Sequence, residues 1–103
     1  MYKLAFYVPL TEKESVKEAL FEIGVGKYAN YECCSFETLG VGQFKPINSA
    51  KPFLGEVDVL EKVEEYKVEM ICSDELVYEA VRVLKEAHPY EEVAYEVLRM
   101  EAI

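Results

Sequence analysis

Apolar and polar side chains alternate along residues 2–8, and the alternation places Leu4, Phe6 and Val8 on one side of the backbone. A period of two is typical of a strand with one buried and one exposed face. Pro9 lacks a backbone N–H and therefore predicts the end of this strand. The first predicted element is thus a half-buried strand.

The following residues change to helical spacing, with an apolar stripe formed by Val16, Ala19, Leu20 and Ile23. Thr11 and Glu14 match a capping box, which predicts a helix that starts near Glu12. Gly24 and Gly26 predict the end of the helix, with Gly24 as its left-handed C-terminal cap.

Three further strands are predicted. Residues 28–38 are rich in Tyr, Cys, Phe and Thr, which favours a second strand. Alternation returns from Val63 to Cys72 and predicts a third strand. The last strand is predicted over residues 93–100.

A second helix is predicted between the third and last strands. Ser73 is placed to cap it, and Asp74 and Glu75 in its first turn would favour the helix dipole. Pro89 predicts its end at His88, because the residue before a proline avoids the helical conformation. The buried face is expected to contain Leu76, Ala80, Val83, Leu84 and Ala87.

The order strand–helix–strand–strand–helix–strand predicts an α+β fold of the ferredoxin-like βαββαβ kind. Such a fold has a four-stranded antiparallel sheet with two helices on one face. A chain of 103 residues suits one such domain, residues 1–103, with a single core.

A long connection separates the second and third predicted strands. Residues 39–58 are predicted to form this loop, although a hairpin needs only about two to five residues. The loop contains Gly40, Gly42, Phe44, Pro46, Pro52, Phe53, Leu54 and Gly55. Its apolar residues predict a ligand loop or a subunit interface; the alternative is a surface extension that only packs back on the domain.

The charge balance limits the class of partner. Twenty acidic and eleven basic residues give a formal net charge of −9. Such a chain repels phosphate backbones and anionic lipid head groups, so neither nucleic acid nor a membrane is expected as a partner. No apolar run approaches the length of a membrane-spanning helix, and a cytoplasmic location is expected.

The three cysteines are expected to be free thiols. Cys33 and Cys34 are adjacent, Cys72 is distant, and no C-x-x-C pair occurs. On a strand, Cys33 and Cys34 would point to opposite faces. Nearby Glu32 and Glu37 would disfavour a reactive thiolate.

The strongest local group of candidate ligands is His88 with Glu91 and Glu92, at the corner between the second helix and the last strand. An imidazole and carboxylates suit Cu²⁺ or Zn²⁺, with Cys34 or a neighbouring subunit completing the site. His88→Ala would then abolish metal binding and leave the fold intact. The alternative is that His88 caps the helix and the glutamates are solvated.

Catalytic motifs are scarce. The chain has one histidine, two aspartates and no phosphate-binding glycine motif, which makes an unrecognised enzyme the least favoured reading. The tyrosines, Tyr90 among them, are expected either in the core and on the sheet face or at a subunit interface, where tyrosine is enriched.

Three segments together resemble the YqfO-type domain of the Nif-three-like (NGG-one-interacting-factor-three-like) family. They are residues 30–46 (NYECCSFETLGVGQFKP), residues 52–56 (PFLGE) and residues 88–95 (HPYEEVAY). The family pattern usually has Pro and Asn where this chain has Val93 and Lys51.

The resemblance implies a fold similar to the CutA and PII proteins, which are ferredoxin-like trimers with ligand or metal sites at subunit clefts. It also implies that the two-metal site of full-length members lies in flanking domains. The leading hypothesis is a homo-oligomeric binding or regulatory module, with a trimer favoured and a dimer possible. A purely structural assembly domain is the alternative.

Overall fold

The computed structural model describes residues 1–103 and contains the six predicted elements in the predicted order. They are β1 (Tyr2–Pro9), α1 (Leu10–Glu22), β2 (Phe36–Phe44), β3 (Glu61–Cys72), α2 (Val77–Ala87), preceded by a 3₁₀ turn (Asp74–Leu76), and β4 (Tyr95–Arg99). The sheet is antiparallel with the strand order β2-β3-β1-β4. The ferredoxin-like α+β fold is therefore confirmed.

One face of the sheet and the two helices enclose the core, as the alternating pattern predicts. The fully buried side chains at its centre are Leu4, Phe6, Val8, Val16, Leu20, Val68, Ala80 and Leu84. Burying a side chain such as Leu or Phe contributes about 1.5–3 kcal/mol, so this cluster is the main source of stability. The opposite sheet face points away from both helices.

The start of α1 differs from the prediction. The helix begins at Leu10 with Pro9 as its N-cap and no side-chain cap hydrogen bond, so the capping box expected at Thr11 is wrong. Thr11 already lies inside the first turn, and its hydroxyl donates to the Glu12 carboxylate instead.

The end of α1 confirms the cap predicted at Gly24. Gly24 has a φ of +101°, its N–H donates to the Phe21 carbonyl, and the Val25 N–H donates to the Leu20 carbonyl. These two bonds form a Schellman motif, in which a left-handed residue reverses the chain after a helix.

The start of α2 is also later than predicted. Asp74–Leu76 forms the 3₁₀ turn, and α2 begins only at Val77. Ser73 precedes that turn and makes no side-chain cap bond, so its predicted capping role is wrong. The end of α2 at Ala87, with His88 in extended conformation before Pro89, agrees with the prediction.

The second strand begins eight residues later than predicted and ends six residues later. Ala29 and Cys33 have positive φ values of 51° and 59°, which turn the chain and exclude a continuous strand over residues 28–35. Cys33 and Cys34 therefore do not alternate on a strand. Instead, β2 passes through Gly40 and Gly42, and the true connection, here the β2–β3 loop, is residues 45–60.

Beyond the end of β1, the second and third strands continue as a two-stranded arm. Pro9 pairs with Glu65, and the pairs from Val41–Glu64 to Phe44–Glu61 have no third strand beside them. The molecule is 46 × 25 × 24 Å in extent, and its radius of gyration is 14.5 Å, against about 13 Å for a compact chain of this length. The longest helix has 13 residues, and none has the length and apolarity needed to cross a bilayer.

Candidate functional site

The corner between α2 and β4, residues 88–94, is organised around a buried histidine. His88 is 5% exposed. Its Nε2 lies 2.7 Å from the Tyr7 carbonyl oxygen, and its Nδ1 accepts a hydrogen bond of 3.1 Å from the Tyr90 backbone N–H. Since Nδ1 is an acceptor, Nε2 carries the proton and donates to Tyr7. The ring thus ties the corner to the end of β1.

Tyr90 follows this anchor and forms the centre of an aromatic group. Its ring centroid lies 4.7 Å from that of His88 in an edge-on arrangement. The centroids of Phe44 and Phe53 are 6.4 and 6.2 Å from that of Tyr90, with tilted planes. Phe44 ends β2 and Phe53 lies on the β2–β3 loop, so Tyr90 joins three distant segments of the chain.

A pocket of about 410 Å³ opens between the β2–β3 loop and the corner. Seven of the candidate residues from the sequence analysis line it: Phe44, Pro46, Pro52, Phe53, Tyr90, Glu91 and Glu92. The backbone N–H of Lys51 donates a 2.8 Å hydrogen bond to Glu91 Oε2, which fastens the loop to the corner. The structure thus brings most of the predicted loop and corner residues into one site.

Glu65 adds a carboxylate that sequence reasoning missed. It lies in β3, lines the pocket, and accepts a 3.4 Å hydrogen bond from the Tyr90 hydroxyl. Because Glu65 follows Glu64 in a strand rich in charged residues, the sequence predicts an ordinary solvated side chain. Alternation places Glu65 on the strand face opposite Tyr66 and Val68, where a glutamate is expected to be solvated, so the sequence gives no signal that it lines a pocket.

Burial sets the protonation of this pair. Desolvation, with the neighbouring Glu65 charge, raises the pKa of Tyr90 to about 12. Desolvation likewise raises the pKa of Glu65, and the Tyr90 hydrogen bond partly opposes that rise. Tyr90 is therefore neutral at physiological pH and acts as the donor. Burial also lowers the pKa of His88, which favours the neutral ring.

Gly42 leaves space that the end of the Glu65 side chain occupies. A Cβ atom at position 42 would lie 2.0 Å from Glu65 Oε1. Gly42 was predicted to belong to the 39–58 loop, but it is a strand residue whose missing side chain makes room for a pocket carboxylate. Gly40 is a strand residue too, and Gly55, with a φ of +88°, turns the loop beside Glu61.

The structure does not bring the expected metal ligands together. The backbone N–H of Cys34 donates to the Gly26 carbonyl, and the Gly26 N–H donates to the Ile71 carbonyl. Ile71 pairs with Lys3, near the opposite end of β1 from Tyr7, the residue to which His88 is hydrogen-bonded. No group of three or more His, Cys, Asp or Glu side chains in the chain could hold a metal ion. The Cu²⁺ or Zn²⁺ site stays a prediction, and at His88 it would require the loss of a ring hydrogen bond and donors from a second chain.

The fold defines the class: a ferredoxin-like α+β chain with the architecture of the CutA proteins. CutA1 from Pyrococcus horikoshii superposes with a TM-score of 0.71 over 100% of this chain and 86% of that one, at 16% identity. At that identity the likeness shows the fold alone. No protein-family model matches the chain.

Relatives of higher sequence identity point to one family. A Bacillus subtilis protein named "GTP cyclohydrolase 1 type 2 homolog" is 41% identical over 99 residues, which are 96% of this chain and 26% of that protein. A Bacillus cereus protein related to NIF3 superposes with a TM-score of 0.82 at 37% identity, over 98% of this chain and 26% of that one. The resemblance to the Nif-three-like family is confirmed, and the chain spans about a quarter of the length of these relatives.

Proposed function

We propose that this domain is a homo-oligomeric binding module that takes a small molecule in the pocket between the β2–β3 loop and the corner. The observation that carries the proposal is the pocket itself, about 410 Å³ in volume and half lined by hydrophobic residues. A partly apolar cavity with a few convergent polar groups is the usual form of a small-molecule site.

The polar groups in this pocket converge from separate elements. Glu65 comes from β3, Tyr90 and Glu91 from the corner, and Gln43 from the end of β2. Since Pro46 is buried and Glu91 holds the loop through Lys51, the walls are largely formed before any ligand enters. Preformed walls lower the entropic cost of binding.

Self-association is the second part of the proposal, and the edge strand β2 supports it. Phe36, Leu39 and Val41 are 69%, 56% and 71% exposed there. An edge strand with apolar side chains and unpaired backbone groups is a template for pairing with another chain. We favour a second copy of this chain as the occupant, in a trimer or a dimer.

Native mass spectrometry of protein purified without chelator or affinity metal tests both parts, because it reports subunit number and bound mass together. Phe53→Ser should remove the bound mass, and Val41→Glu should dissociate the oligomer. Tyr78→Glu is the matched control, because Tyr78 is 89% exposed on α2, far from β2 in the chain. Oligomers without bound mass would favour the structural assembly domain instead, and a bare monomer would contradict both functions.

A further inference from the structure

The side chains around the pocket restrict the kind of molecule that fits it. Three aromatic rings, those of Phe44, Phe53 and Tyr90, line it. Three carboxylates, those of Glu65, Glu91 and Glu92, line the same space, and Lys45 is the single basic residue there. We propose that the pocket binds an organic cation, such as a quaternary or protonated amine on a compact apolar body. This inference rests on the proposed binding function.

The ring geometry suits a cation. A cation is attracted to an aromatic face when it lies within about 6 Å of the ring centroid. Because the centroid of Tyr90 is only 6.4 and 6.2 Å from those of Phe44 and Phe53, one cation can lie within this distance of Tyr90 and a flanking ring together. Phe53 lines the pocket and is 51% exposed, so part of it is accessible to a ligand.

The carboxylates favour positive charge over negative charge. Glu65 is partly desolvated, as the rise in its pKa on burial indicates, and its charge is therefore less screened than that of a surface glutamate. Its partner Tyr90 is protonated and donates to it. Glu91 keeps one oxygen on the Lys51 N–H, and Glu92 is exposed at the rim. An anionic ligand would meet three carboxylates and one lysine.

The remaining charge near the pocket does not reverse this preference. The Lys51 backbone N–H, and not its ammonium group, is the atom bonded to Glu91. His88, behind Tyr90, has both ring nitrogens in hydrogen bonds and a lowered pKa that favours the neutral form. A net charge of −9 adds a general attraction for cations, which the experiment must separate from binding in the pocket.

Three isosteric probes test the charge preference: choline (a cation), 3,3-dimethyl-1-butanol (neutral) and 3,3-dimethylbutanoate (an anion). Each is titrated into isotopically labelled protein at about 0.15 M salt, and the amide shifts of the β2–β3 loop and the corner are followed by NMR. We expect choline to bind about 3- to 30-fold more tightly than the neutral probe, as a cation–π contact predicts. The anion should bind most weakly.

Two variants locate the binding. Phe53→Leu removes one ring but keeps an apolar side chain, and Glu65→Gln removes one pocket charge but keeps an acceptor for Tyr90. Each should lower choline affinity at least about threefold. Glu86→Gln makes the same change in net charge on the exposed face of α2, where Glu86 pairs with Arg82, and it should have no effect.

The outcomes separate the two proposals. If all three probes shift the pocket amides and bind with equal affinity, the cation preference is overturned and the proposed binding function stands. An equal loss of choline affinity in Glu65→Gln and Glu86→Gln would also overturn it, because the attraction would then be general. Absence of pocket shifts with every probe would overturn both.

Discussion

Replacement of His88 by alanine is expected to destabilise the whole domain. The ring is 5% exposed and satisfies two backbone groups, the Tyr7 carbonyl and the Tyr90 N–H. Alanine would leave both without their partner and would open a space beneath the Tyr90 ring. This expectation replaces the sequence-based one, in which the variant keeps its stability.

The magnitude follows from these contacts. A buried backbone group that loses its only side-chain partner costs about 1–3 kcal/mol. Water that enters the new space would satisfy part of this demand. A total loss of about 2–4 kcal/mol is therefore expected, which is a large share of the roughly 5–15 kcal/mol by which a domain is stable.

Urea unfolding followed by circular dichroism measures the loss. With a slope of about 1–3 kcal/mol per molar urea, the midpoint of His88→Ala should fall by about 1–3 M. His88→Gln should show a smaller loss, since its amide can replace one of the two bonds. Glu92→Ala, at an exposed position of the same corner, is the control and should keep the wild-type midpoint.

The pH dependence gives an independent check. The pKa of His88 is lowered by burial from 6.5, so the unfolded chain takes up a proton at a pH where the folded chain does not. Stability should therefore decrease as pH falls below about 6.5, and this part of the slope should be absent in His88→Gln. The reasoning is refuted if His88→Ala unfolds at the same urea concentration as Glu92→Ala. It is also refuted if the stability of the wild type and that of His88→Gln depend on pH with the same slope below about 6.5.

Three further predictions concern other parts of the fold. Gly42→Ala should push the Glu65 carboxylate away from Tyr90 and lower the pKa of Tyr90 from about 12; NMR titration of the ring measures it, and an unchanged pKa would contradict the contact. Gly24→Ala should cost about 1–2 kcal/mol in urea unfolding, because its φ is +101° and an L-residue is strained there; a neutral result would argue against the Schellman motif. The ammonium groups of Lys13 and Lys17 in α1 donate to the Glu37 carboxylate in β2 and lower its pKa from 4.5. Glu37→Gln should therefore be less stable than wild type at pH 7, and the difference should shrink as pH falls through that lowered pKa. A gap that does not change with pH would exclude this ion pair as the cause.

Periodic segments of this sequence were predictable because burial decides them. The alternation in β1 and β3 and the stripe of α1 correspond to the core, since one face of each element must leave water. The same logic fails for residues 28–35, where Tyr and Cys have the composition of a strand. Positive φ values at Ala29 and Cys33 are tertiary requirements that composition does not express.

The pocket was predictable only in part. Proline and phenylalanine in a long connection predicted a ligand loop or a subunit interface, and in the structure Pro46, Pro52 and Phe53 line one pocket together with Tyr90. Whether the loop binds a ligand or another subunit stays a prediction. The role of His88 was not accessible, because its partners are backbone atoms and one of them, Tyr7 O, is 81 residues away. The Glu65 contribution depends on a space left by Gly42 across the strand pair, which no local pattern reports.

The protruding arm of β2 and β3 links the two proposed functions, self-association and pocket binding, because it contributes to both surfaces. A two-stranded ribbon is only marginally stable alone, and this one ends in Phe44, which forms a pocket wall. In the proposed oligomer, a neighbouring copy paired with β2 would restrict the motion of the arm and of this wall, and a pocket ligand would then favour the associated state by the same factor. The apparent affinity for a pocket ligand should accordingly rise with the concentration of the protein itself.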